Sequence, residues 1–153
     1  MIGKENIVAI DPDIDKSGIA LYNRHSGIML TKWAMPELVE FLRTNRDTVY
    51  AIVECGYLNK IPNFHGGNFR VSQKIAANVG QNWQVAHTIV DFCKFYHVEY
   101  KEQKPLRKCW QGKDKKITEK ELNALLKSKG ISPLSNTNQD ERDAMLLLFT
   151  NIF

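Results

Sequence analysis

Two apolar segments of this 153-residue chain each end in an acidic residue. Asp11 follows the run Ile7–Ile10, and Pro12 then stops the strand because it cannot donate a backbone hydrogen bond. Glu54 follows Val49–Val53 in the same way. A carboxylate at the end of a buried strand is costly unless a cation meets it. Each acid could therefore present one ligand to a hard metal ion.

Two further acids, Asp140 and Asp143, are spaced i, i+3 and lie on one face of the last predicted helix. The apolar run Ala144–Leu148 follows, so this face must border the core. If all four carboxylates meet, they repel: at ~4 Å and an effective dielectric of about 20, each pair costs about 4 kcal/mol. Such a cluster persists when its members are protonated or when divalent cations occupy it.

A site made of oxygen ligands alone favours Mg²⁺, with Mn²⁺ as a substitute, over zinc. Two such ions on a phosphodiester can activate a water and stabilise the leaving oxygen. Taken singly, each acid has a simpler explanation, as a turn former before proline or as an acid that answers a helix dipole. The combination of four is far less easily explained as capping.

The alternation of Asp11, Asp13 and Asp15 resembles the start of an EF-hand calcium loop. The sixth loop position is Lys16, where glycine is needed, and the twelfth is Tyr22, where a bidentate Glu is needed. No helix is predicted before Asp11. The sequence therefore excludes this type of site.

Positive charge is concentrated in one part of the chain. The net charge is +4, whereas residues 101–129 carry ten basic residues against four acids and the rest of the chain is slightly negative. A basic segment beside isolated acids indicates a polyanion held against a metal site. The alternative is a solvated lysine-rich face.

A loop after Glu54 interleaves aromatic and basic residues. Aromatic side chains there could stack on bases, at ~1–3 kcal/mol each, or could merely hold the loop against the core. The predicted DNA-binding residues of this loop, the following helix and the basic segment are Tyr57, Lys60, Phe69, Arg70, Lys74, Lys113, Lys115 and Lys116.

The composition is that of a globular protein, with 43% hydrophobic and 25% charged residues. No apolar run approaches the ~20 residues of a membrane span, and no signal peptide is evident, so we expect a cytoplasmic protein without membrane contact. Cys55, Cys93 and Cys109 have no CxxC spacing, so neither disulfides nor a thiolate zinc site is expected. We expect one domain over residues 1–153.

The hydrophobic pattern predicts five strands and four helices. The expected order is three strands (6–11, 17–23, 27–33), a helix (35–45), a strand (49–54), a long helix (72–96), a strand (98–101) and two helices (118–129, 138–152). This order predicts an α/β fold whose mixed sheet joins an antiparallel meander to parallel strands, with helices on its faces.

At the four acids the chain resembles the RuvC-type Holliday junction resolvases of the RNase H-like superfamily. Ile10-Asp11-Pro12 with Gly18 resembles the family's first motif, and Glu54 with Tyr57 the second. The remaining matches, in the same order as in the family, are Val79-Gly80-Gln81 in the long helix, Gly112, Lys120-Glu121, and Asp140 with Asp143-Ala144. Asp13, where the family usually has glycine, and a longer aromatic loop over 57–70 depart from the pattern.

The resemblance implies an RNase H-like domain and a metal-dependent endonuclease that acts as a homodimer on branched double-stranded DNA. It would nick a four-way junction symmetrically, in recombination or repair. The implied metal ligands, for two Mg²⁺ ions, are Asp11, Glu54, Asp140 and Asp143, and Lys120 would lie near the scissile phosphate. Two alternatives stay open: the same chemistry on other branched DNA or RNA–DNA hybrids, and a relative that binds nucleic acid without cutting it.

Overall fold

The computed structural model describes residues 3–59 and 69–153, except for the side chains of Phe69, Val71 and Ser72. The expected order of five strands and four helices is confirmed. The elements are β1 (Asn6–Asp11), β2 (Ser17–Asn23), β3 (Gly27–Trp33), α1 (Met35–Thr44), β4 (Val49–Glu54), α2 (Phe69–Phe95), β5 (Glu99–Gln103), α3 (Glu119–Ser128) and α4 (Gln139–Ile152), with short 3₁₀ turns at Gly56–Leu58 and Lys113–Lys115.

Two elements differ from the expectation by more than one residue. Helix α2 starts three residues earlier than predicted, and β5 covers Glu99–Gln103 instead of 98–101. The shift of β5 follows from its pairing, because Tyr50 to Glu54 of β4 align with Glu99 to Gln103. Pairing with a neighbouring strand decides where a polar strand starts and ends, and local sequence does not record it.

The strands form one mixed sheet in the order β3-β2-β1-β4-β5. Strands β1, β2 and β3 make the antiparallel meander, and β4 and β5 extend it in parallel. The central strands β1 and β4 are covered on both faces, which explains why their sequences are apolar without interruption.

The two faces of the sheet carry different helices. Val8 and Ile10 of β1 pack with α1 and α2, whereas Ile7 and Ala9 pack with α3 and α4. Alternate side chains of a strand point to opposite faces, so β1 anchors both layers at once. Within residues 3–59 and 69–153, no helix combines the length and apolar character needed to cross a membrane.

Candidate active site at the carboxyl end of the central strands

Asp11 and Glu54 lie side by side at one edge of the sheet. Strands β1 and β4 are parallel neighbours, and Ile10 is paired with Val53. The next residue of each strand is the acid, and adjacent strands are about 4.8 Å apart. The two strand-end carboxylates are thus adjacent although they lie far apart in the sequence.

Gly18 brings the helical acids to the same edge. It pairs with Asp11 across the antiparallel ladder of β1 and β2. A Cβ atom on residue 18 would lie 2.3 Å from the backbone oxygen of Asp140, a distance that no side chain tolerates. The absent side chain therefore allows the first turn of α4 to pack directly on β2, beside Asp11.

The four carboxylates influence one another electrostatically. The pKa of Asp11 is raised well above its ordinary value, first by desolvation and then by the charges of Glu54 and Asp143, with a smaller effect from Asp140. Desolvation and the charge of Asp143 likewise raise the pKa of Glu54. Acids from β1, β4 and α4 therefore form one cluster of like charge.

Lys116 places a positive charge inside this cluster. Its Nζ donates a hydrogen bond to Asp143 Oδ2 at 2.8 Å. Desolvation is the largest single influence and opposes its charge, but the bond to Asp143 and the surrounding carboxylates together raise the pKa of Lys116. A second lysine, Lys32 of β3, contacts Asp140 Oδ2 at 2.6 Å.

The donor set fits a divalent cation by its chemistry. All four acids offer oxygen, and their mutual repulsion is what a bound cation would relieve. Among the described residues, no three acidic, histidine or cysteine side chains stand close enough together to complete a metal site. The positive charge beside these acids is the ammonium group of Lys116, which contacts Asp143.

The N-terminus of α4 is held by a dense polar network. Asn138 accepts a hydrogen bond from the Glu141 amide, and Glu141 accepts one from the Asn138 amide, which makes a capping box. The Arg142 guanidinium donates to the backbone oxygens of Ile117 and Thr137. These contacts fix the turn that carries Asp140 and Asp143.

Gln139 belongs to the same network. Its Nε2 donates to Asp143 Oδ1 at 2.7 Å and to the Ile117 carbonyl, and its Oε1 accepts from Arg142. Sequence reasoning missed both Gln139 and Arg142. The i, i+4 spacing of Gln139 and Asp143 was the available signal.

Two adjoining cavities open beside the acids, with volumes of about 680 Å³ and 230 Å³. One wall is helix α2 and the other is the segment that follows β5. The residues that line both cavities are Asp11, Glu54, Asn82, Pro105, Leu106, Arg107 and Lys108. Sequence reasoning did not single out Asn82, Arg107 or Lys108, because nothing local relates them to the acids.

The predicted DNA-binding residues are distributed around this edge. Lys113 and Lys115 are exposed in the 3₁₀ turn before α3, and Lys115 lines the smaller cavity. Arg70 and Lys74 are exposed near the start of α2. Lys60 and the side chain of Phe69 lie outside the part of the chain that the structure describes, as do Phe64 and His65 of the aromatic loop.

Tyr57 packs within the protein. Its ring stacks on His87 at a centroid distance of 3.7 Å, and its hydroxyl donates to Glu102. Burial raises the pKa of Tyr57, and the hydrogen bonds to Cys55 and Glu102 raise it further. One face of the ring is therefore covered by His87 of α2.

Lys116 and Lys120 of the basic segment have different positions relative to the acids. Lys120 is exposed at the second residue of α3 and makes no ion pair with any carboxylate of the described residues, whereas Lys116 contacts Asp143. The turn that places Lys116 depends on Gly112, since a Cβ there would lie 2.4 Å from the Lys116 carbonyl oxygen. Sequence reasoning assigned Lys116 to DNA binding and did not foresee this contact.

The mixed five-stranded sheet with helices on both faces is the RNase H-like fold of RuvC. The resemblance drawn from the sequence motifs is confirmed at the level of the fold. A Thermus thermophilus RuvC structure in complex with a Holliday junction substrate matches with a TM-score of 0.52 and 15% identity, over 95% of this chain and 90% of that one. A second Thermus thermophilus RuvC structure matches with a TM-score of 0.51 and 14% identity, over 95% and 92% of the two chains.

Comparison by sequence adds nothing to this likeness. No protein-family model matches the chain, and no curated protein matches it either. The similarity therefore lies in the three-dimensional structure and in the short motifs.

Proposed function

We propose that this protein is a divalent-metal-dependent, structure-selective DNA endonuclease that resolves four-way junctions. One observation carries the proposal: four acids from β1, β4 and α4 interact at one edge of a RuvC fold. That edge faces clefts lined by Arg107, Lys108 and Lys115. Acids alone would repel DNA, so the site requires cations beside them.

Asp11, Glu54, Asp140 and Asp143 would hold the metal, with Mg²⁺ as the expected ion and Mn²⁺ as a substitute. Two bound ions would supply a metal-activated water and stabilisation of the leaving oxygen of the phosphodiester. The protein's own part is to hold the acids in place through the strand pairing and the Gly18 contact. Lys116 compensates their charge before the substrate arrives.

Cations flanking the clefts would bind the phosphate backbone. Arg107, Lys108, Lys113 and Lys115 are exposed along the segment between β5 and α3. Phosphate contacts of this kind give affinity without sequence preference. Lys120, in the first turn of α3, remains a candidate to contact the scissile phosphate.

We further propose that the active form is a homodimer, since paired nicks across a junction need two sites. The N-terminal half of α2 supports this, because Ala76, Ala77 and Gly80 are exposed and Ile75 is 46% exposed. Sedimentation with and without junction DNA tests it, and a single monomeric species on the junction would contradict it.

A junction-cleavage assay tests the proposed activity. We expect paired nicks in a labelled four-way junction with Mg²⁺ or Mn²⁺ and no product with EDTA. The same assay with flaps, RNA–DNA hybrids and linear duplex determines the substrate. Cleavage of hybrids in preference to junctions would contradict a junction-resolving role, and binding without cleavage of any substrate would identify a non-catalytic relative.

A further inference from the structure

Both carboxylate oxygens of Asp143 are engaged, and their two partners differ in charge. Gln139 Nε2 donates to Oδ1 at 2.7 Å, and Lys116 Nζ donates to Oδ2 at 2.8 Å. The first donor is a neutral amide and the second is a cation. A metal ion near this carboxylate would repel the lysine but not the amide, so the two oxygens are not equally available to it.

The amide of Gln139 fits its surroundings in one orientation. Its Oε1 accepts from the Arg142 guanidinium at 3.0 Å, a group that can only donate. Its Nε2 faces the ionised carboxylate of Asp143 and, at 3.3 Å, the carbonyl oxygen of Ile117, and both of these only accept. A flipped amide would set donor against donor and acceptor against acceptor. The hydrogen bond to Oδ1 is therefore fixed by the neighbours of Gln139.

Arg142 is itself anchored outside the acidic cluster. Its Nε donates to the Ile117 carbonyl at 3.2 Å, and its Nη1 donates to the Thr137 carbonyl. These two carbonyls belong to the segments that precede α3 and α4. The series from Arg142 through Gln139 to Asp143 thus ties one carboxylate oxygen to the surrounding backbone.

This arrangement distinguishes Asp143 from the rest of the cluster. No side-chain amide of the described residues donates to the other three acids, Asp11, Glu54 and Asp140. The contact recorded for Asp140 is the ammonium group of Lys32, which lies 2.6 Å from Oδ2. Asp143 is therefore the acid whose orientation a neutral group sets.

The number of oxygens that a carboxylate can offer bears on the choice of ion. Ca²⁺ takes about six to eight oxygen ligands in flexible geometry and accepts bidentate carboxylates, whereas Mg²⁺ demands an octahedron and keeps several waters. A carboxylate with one oxygen held by an amide supplies only the other oxygen. Such a ligand suits Mg²⁺ and withholds one contact from Ca²⁺.

We propose that Gln139 is a positioning residue that leaves Asp143 only Oδ2 to give to a metal, and that it thereby favours Mg²⁺ over Ca²⁺. The inference rests on the proposed function, because it concerns the metal that the four acids would hold, and it adds the source of ion selectivity. Lys116 would leave Oδ2 when the metal binds, while the hydrogen bond from Gln139 to Oδ1 persists.

The test measures ion binding in place of cleavage. Isothermal titration of the DNA-free protein with Mg²⁺ and with Ca²⁺ gives two dissociation constants, and their ratio is the readout. Gln139→Met keeps the length of the side chain and removes its amide. We expect Mg²⁺ to bind this variant about 10- to 100-fold more weakly, the usual effect of losing a group that orients a metal ligand. Ca²⁺ should bind as tightly as before or more tightly, because Oδ1 becomes available.

Two controls separate ion selectivity from a general loosening of α4. Asn138→Ala removes the cap of the same turn and keeps Gln139, so any loss should be similar for both ions and the ratio should stay unchanged. Gln84→Met removes an exposed amide of α2 and should change neither constant.

A second variant, Arg142→Gln, keeps the amide of Gln139 and removes its anchor. It should shift the ratio in the same direction as Gln139→Met by a smaller factor, and it decides the question if thermal melts in EDTA show that Gln139→Met is unfolded. An unchanged ratio in the folded variant would overturn the inference.

The outcomes separate this inference from the proposed function. An unaltered ratio in Gln139→Met, in a protein that cuts junctions, would overturn the role of Gln139 and leave the nuclease standing. A shifted ratio in a protein that cuts no DNA would support Gln139 and overturn the nuclease. Binding of neither ion by the wild type would overturn the inference together with the metal site on which it depends.

Discussion

At the scale of single residues, Asp11 is placed where its charge opposes folding. It is desolvated and faces the other three carboxylates, which explains its raised pKa. Lys116 offsets only part of this repulsion. On the proposed function a divalent cation would relieve the rest, so the charge of Asp11 should destabilise the metal-free protein.

We therefore expect Asp11→Asn to reduce metal-dependent cleavage by at least about 100-fold and to raise the melting temperature of the metal-free protein. Because the folded-state pKa is raised, ionisation of Asp11 destabilises the fold. The gain in melting temperature from Asp11→Asn should be absent below pH 3.8, the ordinary pKa of this side chain. It should grow as the pH rises from there towards the folded-state pKa of Asp11. Thermal melts in EDTA across pH measure it.

Asp91→Asn is the matched control, since Asp91 is exposed on α2 and makes no ion pair with the described residues. It should change neither melting nor cleavage. Unchanged cutting by Asp11→Asn would show that the ligand assignment is wrong.

Two matched variants, Lys116→Met and Lys120→Met, distinguish the roles of these lysines. We expect Lys116→Met to lower cleavage by roughly 100-fold or more, because the carboxylates lose their internal counter-charge. Mg²⁺ should raise the melting temperature of Lys116→Met more than that of the wild type, since the ion no longer competes with an amine on Asp143. Lys120→Met should respond to Mg²⁺ as the wild type does.

Cleavage rates and melting curves of the two variants decide between the lysines. A greater loss of cleavage in Lys120→Met would favour the lysine that the family resemblance indicates. The same Mg²⁺ response in both variants would argue against a counter-ion role for Lys116.

At the scale of elements, the site depends on the close approach of β2 and α4. Gly18→Ala would force the backbone at Asp140 away, with a cost typical of overpacking, about 1–3 kcal/mol. We expect lower stability in urea and a loss of cleavage larger than the loss of DNA binding. Gly80→Ala is the contrasting variant: no atom of the described residues lies within 4 Å of its added Cβ, and an alanine inside helix α2 should raise stability by about 0.5–1 kcal/mol. Equal unfolding curves for Gly18→Ala and the wild type would refute the packing argument.

The cap of α4 is a second element on which the acids depend. Asn138→Ala removes the capping box and should cost about 0.5–2 kcal/mol. The first turn should fray, so amide hydrogens of 140–143 should exchange faster and cleavage should fall with it. Ser135→Ala, exposed three residues earlier, should leave both unchanged. Normal exchange in Asn138→Ala would mean that the Arg142 network alone holds the turn.

At the scale of the whole molecule, the net charge matters less than its position. The turn Lys113–Lys115 is beside the smaller cavity, whereas Lys127 and Lys129 lie at the far end of α3. Phosphate contacts should therefore come from the first group. On the proposed function, this placement would let a protein with a modest net charge of +4 bind DNA against an acidic site.

The double replacement Lys113→Gln/Lys115→Gln should weaken junction binding and reduce the salt dependence of log K by about 0.9 for each phosphate that is no longer neutralised. Lys127→Gln/Lys129→Gln carries the same charge change and should have little effect. Titrations at several salt concentrations compare them. Equal slopes for the two variants would indicate diffuse attraction instead of a localised phosphate-binding surface.

The sequence by itself determined the strands, the helices and their caps, because these depend on local periodicity and on neighbours three or four residues apart. The apolar runs ending in Asp11 and Glu54, and the capping box at Thr118, are examples. The mixed sheet followed from the element order, and its pairing of β1 with β4 then brings the two strand-end acids together.

Tertiary structure alone decided the contacts between distant side chains. It put Lys116 instead of Lys120 on Asp143, covered one face of Tyr57 with His87, and aligned Asn82 with a cleft beside the acids. Each outcome depends on how a loop or a helix packs to within a few tenths of an ångström, as at Gly18 and Gly112. No local pattern records such distances, since most of the atoms that set them belong to residues far apart along the chain.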